Sequence, residues 1–218
     1  VQGHGFEQVL LMNEKRVLNQ PGFVLAFRLL VALLASVPLL VLIASIASQS
    51  IGPDPGPEVT ESLGIAAFQL LIATLCMTPL KRWTGWGAWI RVRRMLGLFA
   101  FFYAVLHVLA FLQFILGWSD LWATFTKRPY ILAGAVSFLM LVPLALTSTK
   151  GMMRRMGRQW KALHKLVYPI AIAAWVHFIW QSRSDVGEMV VYGLIIAVLL
   201  ALRWKWSGSR ALIPFVRG

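Results

Sequence analysis

The chain has 218 residues, of which 59% are hydrophobic and 13% are charged, and its mean hydropathy is +0.72. Soluble domains are about 45–50% apolar, so this composition excludes an ordinary soluble domain, and the excess lies in blocks typical of membrane spans. The single cysteine, Cys76, excludes an internal disulfide and a thiol relay.

Six apolar blocks predict an all-α, polytopic membrane bundle of six transmembrane helices. The second, fifth and sixth blocks are shorter than the roughly 20 residues that a span requires. The ends of these three spans are therefore expected to differ from the block ends by a few residues. The blocks are residues 23–46, 64–80, 95–116, 130–147, 165–180 and 187–202.

The remaining segments set the domain plan. Residues 1–22 are predicted to be a disordered or non-native N-terminal tail, with Met12 as an alternative start. Residues 23–206 form the membrane domain, and residues 207–218 form a short cytoplasmic tail. The sequence GPDPGP at residues 52–57 predicts an external turn, because Pro and Gly interrupt regular structure.

The net charge of +13 is distributed very unevenly along the chain. All but three of the 21 Lys and Arg residues fall on the two terminal segments and on the second and fourth connections, which share one membrane face if the chain crosses six times. The exceptions are Lys127, Arg128 and Arg183. The positive-inside rule therefore predicts that both termini are cytoplasmic. The basic residues orient the chain and meet anionic membrane lipid, and nucleic acid is not needed to explain them.

Two histidines lie at matching depth in the third and fifth spans. His107 and His177 each lie about 12 residues after the predicted cytoplasmic start of an outward-running span. At 1.5 Å per residue, both are about 18 Å from the cytoplasmic boundary. Two such histidines can supply both axial ligands of one haem b, which requires neutral imidazoles, an apolar slot and a polar edge for its propionates.

The surroundings of these histidines suit a haem. Lys127 and Arg128, at the outer end of the fourth span, are expected to meet the propionates. The predicted apolar slot consists of Phe101, Phe102, Tyr103, Phe111, Trp175, Phe178 and Trp180.

His164 is predicted to serve a different site. It precedes His177 by 13 residues, an interval that an ideal helix turns through 1300° at about 100° per residue, so the two rings face different directions unless Pro169 re-aims one of them. At the cytoplasmic surface His164 is level with Arg94, and the two suit an anionic ligand such as the phosphate of a flavin nucleotide. Arg91 and Lys161 add to the same positive charge.

Simpler roles compete with these assignments. One alternative is that each membrane histidine does no more than form a hydrogen bond between helices. Two histidines at matched depth make this alternative less favourable. His164 can be a solvated surface histidine. The arginines at 91 and 94 can be topology signals.

Five short segments carry a resemblance to a known family. They resemble, in order and spacing, the MsrQ family, also called YedZ, over roughly residues 50–205. The segments are RVRRMLGLFAFFYAVLH (91–107), KRPYI (127–131), LTSTK (146–150), MGRQWKALHKLVY (156–168) and HFIW (177–180).

The resemblance implies a function. MsrQ proteins belong to the ferric-reductase-like transmembrane group, with the NADPH oxidases and the six-transmembrane metalloreductases as relatives. The implied protein is a b-type haem subunit of the bacterial inner membrane that passes electrons to MsrP, a periplasmic molybdopterin enzyme that reduces methionine sulfoxide in oxidised proteins. Quinol or a cytosolic flavin reductase would donate the electrons, and FMN would be a second cofactor.

The family's histidine positions match His107, His164 and His177. Larger relatives with two haems carry paired histidines on each of two helices, whereas the third span here offers only His107, which supports one haem. Ligation of a second haem is the alternative role of His164. Unlike the oxidases, the chain is expected to have no fused flavin and nicotinamide domain, so a separate electron donor is expected.

Two other classes of function remain as alternatives. A self-sufficient transmembrane ferric or quinone reductase would turn over with a soluble acceptor and no periplasmic partner. A transporter or a purely structural bundle is less favoured, because transporters often show internal repeats and broken helices at matching positions, and no repeat is evident in the sequence.

Overall fold

The computed structural model of the chain describes residues 19–118, 126–181 and 186–208. Every regular element in these ranges is helical. The predicted tails fall largely outside them, as do Met12 and Arg183. The helices are α1 Pro21–Ala47, α2 Pro55–Thr84, α3 Ala88–Ala110 with a π-helical extension Phe111–Leu116, α4 Pro129–Leu146, α5 Lys150–Met156, α6 Arg158–Leu163 with a 3₁₀ turn His164–Leu166, α7 Val167–Gln181 and α8 Val186–Gly208.

Within the described residues, six helical stretches are long and apolar enough to cross a membrane. The prediction of an all-α membrane protein with six spans is therefore confirmed, and the chain is a multi-pass membrane protein. The fifth span combines α6, the 3₁₀ turn and α7. Cytoplasmic placement of both termini stays a prediction.

The second span begins earlier than predicted. α2 starts at Pro55, so the last three residues of the predicted turn at 52–57 are helical. Proline is tolerated in the first turn of a helix, where its missing N–H has no partner to lose. Glu58, also in the first turn, stabilises the positive end of the helix dipole. The prediction that all of residues 52–57 form a turn was therefore wrong.

The fifth span contains a break next to His164. The 3₁₀ turn His164–Leu166 separates α6 from α7, and Pro169 follows one turn later. Proline lacks an N–H and its ring clashes with the carbonyl of the residue four positions earlier, here Lys165. The local tightening of the helix is thus the expected effect of Pro169.

The chain divides into two compact units, residues 1–107 and residues 108–218. In the first unit, the packing between helices centres on four buried residues from α1, α2 and α3. They are Ala35, Met77, Val92 and Leu96. Large apolar side chains of α1 are exposed, as expected for a helix that faces lipid.

Tyr103 of α3 forms hydrogen bonds with α1 at the turn that contains Pro38. Its side chain is buried, and its hydroxyl donates to the carbonyl of Ala35 at 2.8 Å and accepts from the N–H of Leu39 at 3.1 Å. These two backbone groups bond to each other in a regular helix, and Pro38 lies between them. The hydroxyl therefore satisfies backbone groups where a proline disturbs the helix.

We expect Tyr103→Phe to lower the free energy of unfolding by about 1–2 kcal/mol, because two buried hydrogen bonds are lost while the ring remains. Unfolding in detergent micelles, followed by circular dichroism, measures the effect. Tyr168→Phe is the matched control, because it keeps the ring that faces the Arg203 guanidinium 5.3 Å away. Equal stability of Tyr103→Phe and the unmodified chain would contradict the bridging role.

In the second unit, α7 packs between α4 and α8. The buried Ser137 hydroxyl of α4 donates to the carbonyl of Ile170 at 3.3 Å, and Ile170 is fully buried. On the α8 side, the indole N–H of Trp175 donates to the carbonyl of Met189 at 2.9 Å. Hydrogen bonds to backbone carbonyls thus fix α7 on both sides.

Candidate functional site

The imidazole of His107 is held by a backbone carbonyl of α2. Its Nδ1 donates to the carbonyl oxygen of Thr60 at 2.8 Å, and the ring is partly buried. The Thr60 hydroxyl is satisfied separately, because it donates to the carbonyl of Gly56 at 2.8 Å.

The imidazole of His177 is held in the same way within the second unit. Its Nδ1 donates to the carbonyl oxygen of Tyr130, in the first turn of α4, at 2.7 Å. A carbonyl oxygen only accepts, so in both His107 and His177 the proton lies on Nδ1, and Nε2 of the neutral ring keeps its lone pair. Metal-bound histidines typically have this arrangement, in which the second nitrogen donates to a carbonyl or carboxylate.

The two histidine contacts repeat with the same spacing. Each histidine follows the residue that supplies its carbonyl by 47 positions. A displacement of 70 residues therefore carries Thr60 and His107 onto Tyr130 and His177. The same displacement carries Arg94 onto His164. This repeat was missed in the sequence, because few residue types are shared between the two copies.

His164 has different surroundings. Its Nδ1 donates to the carbonyl of Trp160, one turn earlier in the chain, at 3.0 Å, and its ring stacks on the Trp160 indole with centroids 3.9 Å apart. The Ser148 hydroxyl lies 3.5 Å from Nε2. Trp160 is itself fixed by a 3.0 Å bond from its indole N–H to the carbonyl of Thr147. The described contacts thus distinguish His164 from the two histidines with carbonyl partners on a neighbouring helix.

The cations predicted to surround the inner site are exposed. Arg91 and Arg94 lie in the first two turns of α3, and Lys161 lies in α6 three residues before His164. In a regular helix, 13 residues separate Arg94 from His107 by about 20 Å along the axis. Arg94 and His107 therefore belong to different levels of the same helix.

The cations predicted to meet haem propionates lie close in the chain to the His177 contact. Lys127 and Arg128 are exposed and immediately precede α4, and the carbonyl of Arg128 accepts from the N–H of Ile131 at 3.0 Å. Tyr130, whose carbonyl holds His177, is only two residues from Arg128.

The side chains of Trp175 and His177 point toward different neighbouring helices. The Trp175 indole donates to the carbonyl of Met189 on α8 and lies where a Cβ added to Gly193 would come within 2.8 Å of it, whereas His177 donates to a carbonyl of α4. Two residues along a helix turn a side chain through about 200°, which accounts for the opposite directions. The expectation that Trp175 and His177 line the same slot was therefore wrong.

The backbone acceptors of Thr60 and Tyr130, together with Trp160 and Ser148, were missed in the sequence. A carbonyl has no residue identity, so no motif marks it. The recurring 47-residue interval was the available signal, but it becomes meaningful only once the contacts are known.

Six spans and carbonyl-held histidines define a multi-pass membrane protein whose imidazoles meet the requirements of metal ligands. Residues 63–175 match the family described as "Ferric reductase like transmembrane component".

Curated relatives narrow the assignment. The "Protein-methionine-sulfoxide reductase heme-binding subunit MsrQ" of Xanthomonas axonopodis pv. citri (strain 306) is 46% identical over 166 residues, which are 75% of this chain and 76% of the relative. The proteins with the same description from Xanthomonas campestris pv. campestris (strain 8004) and Xanthomonas oryzae pv. oryzae (strain MAFF 311018) are 46% and 45% identical over the same shares. The chain belongs to the MsrQ family of ferric-reductase-like membrane proteins.

Proposed function

We propose that the chain is the haem b electron-transfer subunit of a methionine sulfoxide reductase system in the bacterial inner membrane. It takes electrons from the quinol pool or from a cytosolic flavin reductase. It passes them to a periplasmic molybdopterin reductase of the MsrP type, which repairs oxidised periplasmic proteins. The description of the relatives as heme-binding subunits supports this function.

The observation that carries the proposal is the Nδ1–carbonyl bond at His107 and His177. These bonds set the neutral tautomer and leave the lone pair on Nε2, so His107 and His177 would each be able to hold the iron of haem b. When bound, haem b supplies a one-electron iron couple. Lys127 and Arg128 are assigned to its propionates, since charge-assisted hydrogen bonds to carboxylates are the strongest that these side chains make.

The inner site is assigned to an anionic or quinonoid electron carrier, either FMN or quinone. His164, Arg94, Arg91 and Lys161 would bind it, and the His164–Trp160 stack would fix the ring that faces it. The alternative is that His164 ligates a second haem. Substrate chemistry stays in the partner, so the chain acts as a redox subunit.

An optical spectrum tests the proposal. We expect the purified protein to give the reduced-minus-oxidised bands of a b-type haem, and we expect the reduced protein to be reoxidised when a periplasmic methionine sulfoxide reductase and a sulfoxide substrate are added together. The partner without sulfoxide is the control. Absence of the haem bands would refute the function. Turnover with ferric salts or quinone, but not with the partner, would favour a self-sufficient reductase.

A further inference from the structure

Two glycines make room for the two histidine rings. A Cβ atom built on Gly64 would lie 2.9 Å from Nδ1 of His107, and a Cβ built on Gly134 would lie 2.8 Å from Nδ1 of His177. Apolar carbon contacts are favourable only from about 3.5 Å. Neither position therefore accepts a methyl group while the ring stays in place.

The glycines occupy the same place relative to each carbonyl. Gly64 follows Thr60 by four residues, and Gly134 follows Tyr130 by four. In an α-helix, the carbonyl of residue i points toward residue i+4, whose side chain normally covers it. A glycine at i+4 uncovers the carbonyl, so that a ring from another helix can reach it.

We propose that Gly64 and Gly134 are equivalent positioning residues, which hold the rings of His107 and His177 against their backbone acceptors in two copies of one arrangement 70 residues apart. The proposal rests on the proposed function in that the two rings are taken as haem ligands. Each glycine acts through a histidine and contacts no cofactor in this role. Replacing either glycine should change the direction of Nε2 and weaken the hydrogen bond that Nδ1 donates to the carbonyl.

Two other glycines provide matched comparisons. A Cβ at Gly97 on α3 would meet only the Thr74 methyl group, at an ordinary 3.8 Å. A Cβ at Gly193 on α8 would meet Trp175 at 2.8 Å, which is as close as the contact at Gly134. Gly97→Ala thus tests the effect of alanine alone, and Gly193→Ala tests overpacking against a side chain that is not a proposed ligand.

We expect Gly64→Ala and Gly134→Ala to lower the affinity for haem by about 10-fold, the lower end of what loss of a ligand's hydrogen-bond partner costs. The midpoint potential of the remaining haem should rise. A histidine whose Nδ1–H no longer donates a hydrogen bond to a carbonyl is a weaker base, so it stabilises oxidised iron less. Haem titration, redox titration and the electron paramagnetic resonance spectrum measure these effects. Gly97→Ala should change none of them, and Gly193→Ala should lower thermal stability without moving the potential.

Wild-type potentials in both Gly64→Ala and Gly134→Ala would overturn the proposal, as would an equal change in Gly193→Ala. If the glycine variants do not accumulate, each is repeated in the background that lacks its ring, His107→Ala or His177→Ala. The added methyl should then be tolerated, since the obstacle is gone, and the two effects should fail to add. Damage that persists without the ring would also overturn the proposal. The measurements in this cycle are protein accumulation and unfolding. They test the role of the glycines independently of haem binding.

Discussion

Replacing either proposed axial ligand, as His107→Ala or His177→Ala, should reduce haem content at least about 10-fold. Loss of even a hydrogen-bond partner of a metal ligand commonly lowers metal affinity by 10- to 100-fold, and loss of the ligand itself should cost more. Any haem that remains has one protein ligand and should become high-spin. Haem content per protein, with the optical and paramagnetic resonance spectra, measures both effects.

His164→Ala is the matched control, because it removes an imidazole from the same span as His177. It should keep the low-spin haem, since the described contacts of His164 are with its own segment and with the Ser148 hydroxyl. Haem retained at wild-type level in His107→Ala or His177→Ala would contradict the ligand assignment. Loss of a haem in His164→Ala would instead support its alternative role as the ligand of a second haem.

The number of spans could be predicted, and the candidate ligands could be selected, because both steps depend on one-dimensional properties. Membrane thickness sets the length of an apolar run, so composition alone separates six blocks. Depth follows from counting residues at a fixed rise, which grouped His107 with His177 rather than with His164. The structure gives His107 and His177 the same kind of partner, although the contacts themselves were not predicted.

The ends of the spans were predicted less well, because local packing and helix capping decide them. α2 begins nine residues before the predicted block, since Pro55 fits the first helical position and Glu58 favours that end of the helix dipole. The break at His164–Leu166 depends on a clash between Pro169 and a carbonyl, which fixes its place only once the helix is built.

The arrangement that holds the histidines could not be predicted because its acceptors are backbone atoms. Any residue type can supply a carbonyl, and Thr60 and Tyr130 have nothing in common as side chains. Glycine was the visible part of the pattern, but Gly64 and Gly134 are two of 17 glycines. Only the rings that approach them distinguish these two from Gly97, where a Cβ would meet nothing closer than 3.8 Å.

At the proposed donor site, Arg94→Leu and His164→Ala should each slow reduction by the electron donor while leaving haem content and reduction by dithionite unchanged. A hydrogen bond to a charged group contributes about 1.5–3 kcal/mol, and every 1.4 kcal/mol is a factor of ten in affinity. The apparent affinity for an anionic donor should therefore fall by about 10- to 100-fold. Stopped-flow reduction of the haem over a range of donor concentrations measures it.

Arg155→Leu is the control for charge, because Arg155 is an exposed cation of α5 outside the proposed site. General attraction of a donor to positive charge would slow Arg94→Leu and Arg155→Leu alike and would weaken with salt, whereas a bound carrier requires Arg94 and His164 in particular. Running each variant with a short-chain quinol, and separately with a flavin reductase plus FMN and NADH, identifies the donor. A variant effect confined to one of the two reactions assigns the inner site to that carrier, and unchanged rates in both would remove Arg94 and His164 from the donor site.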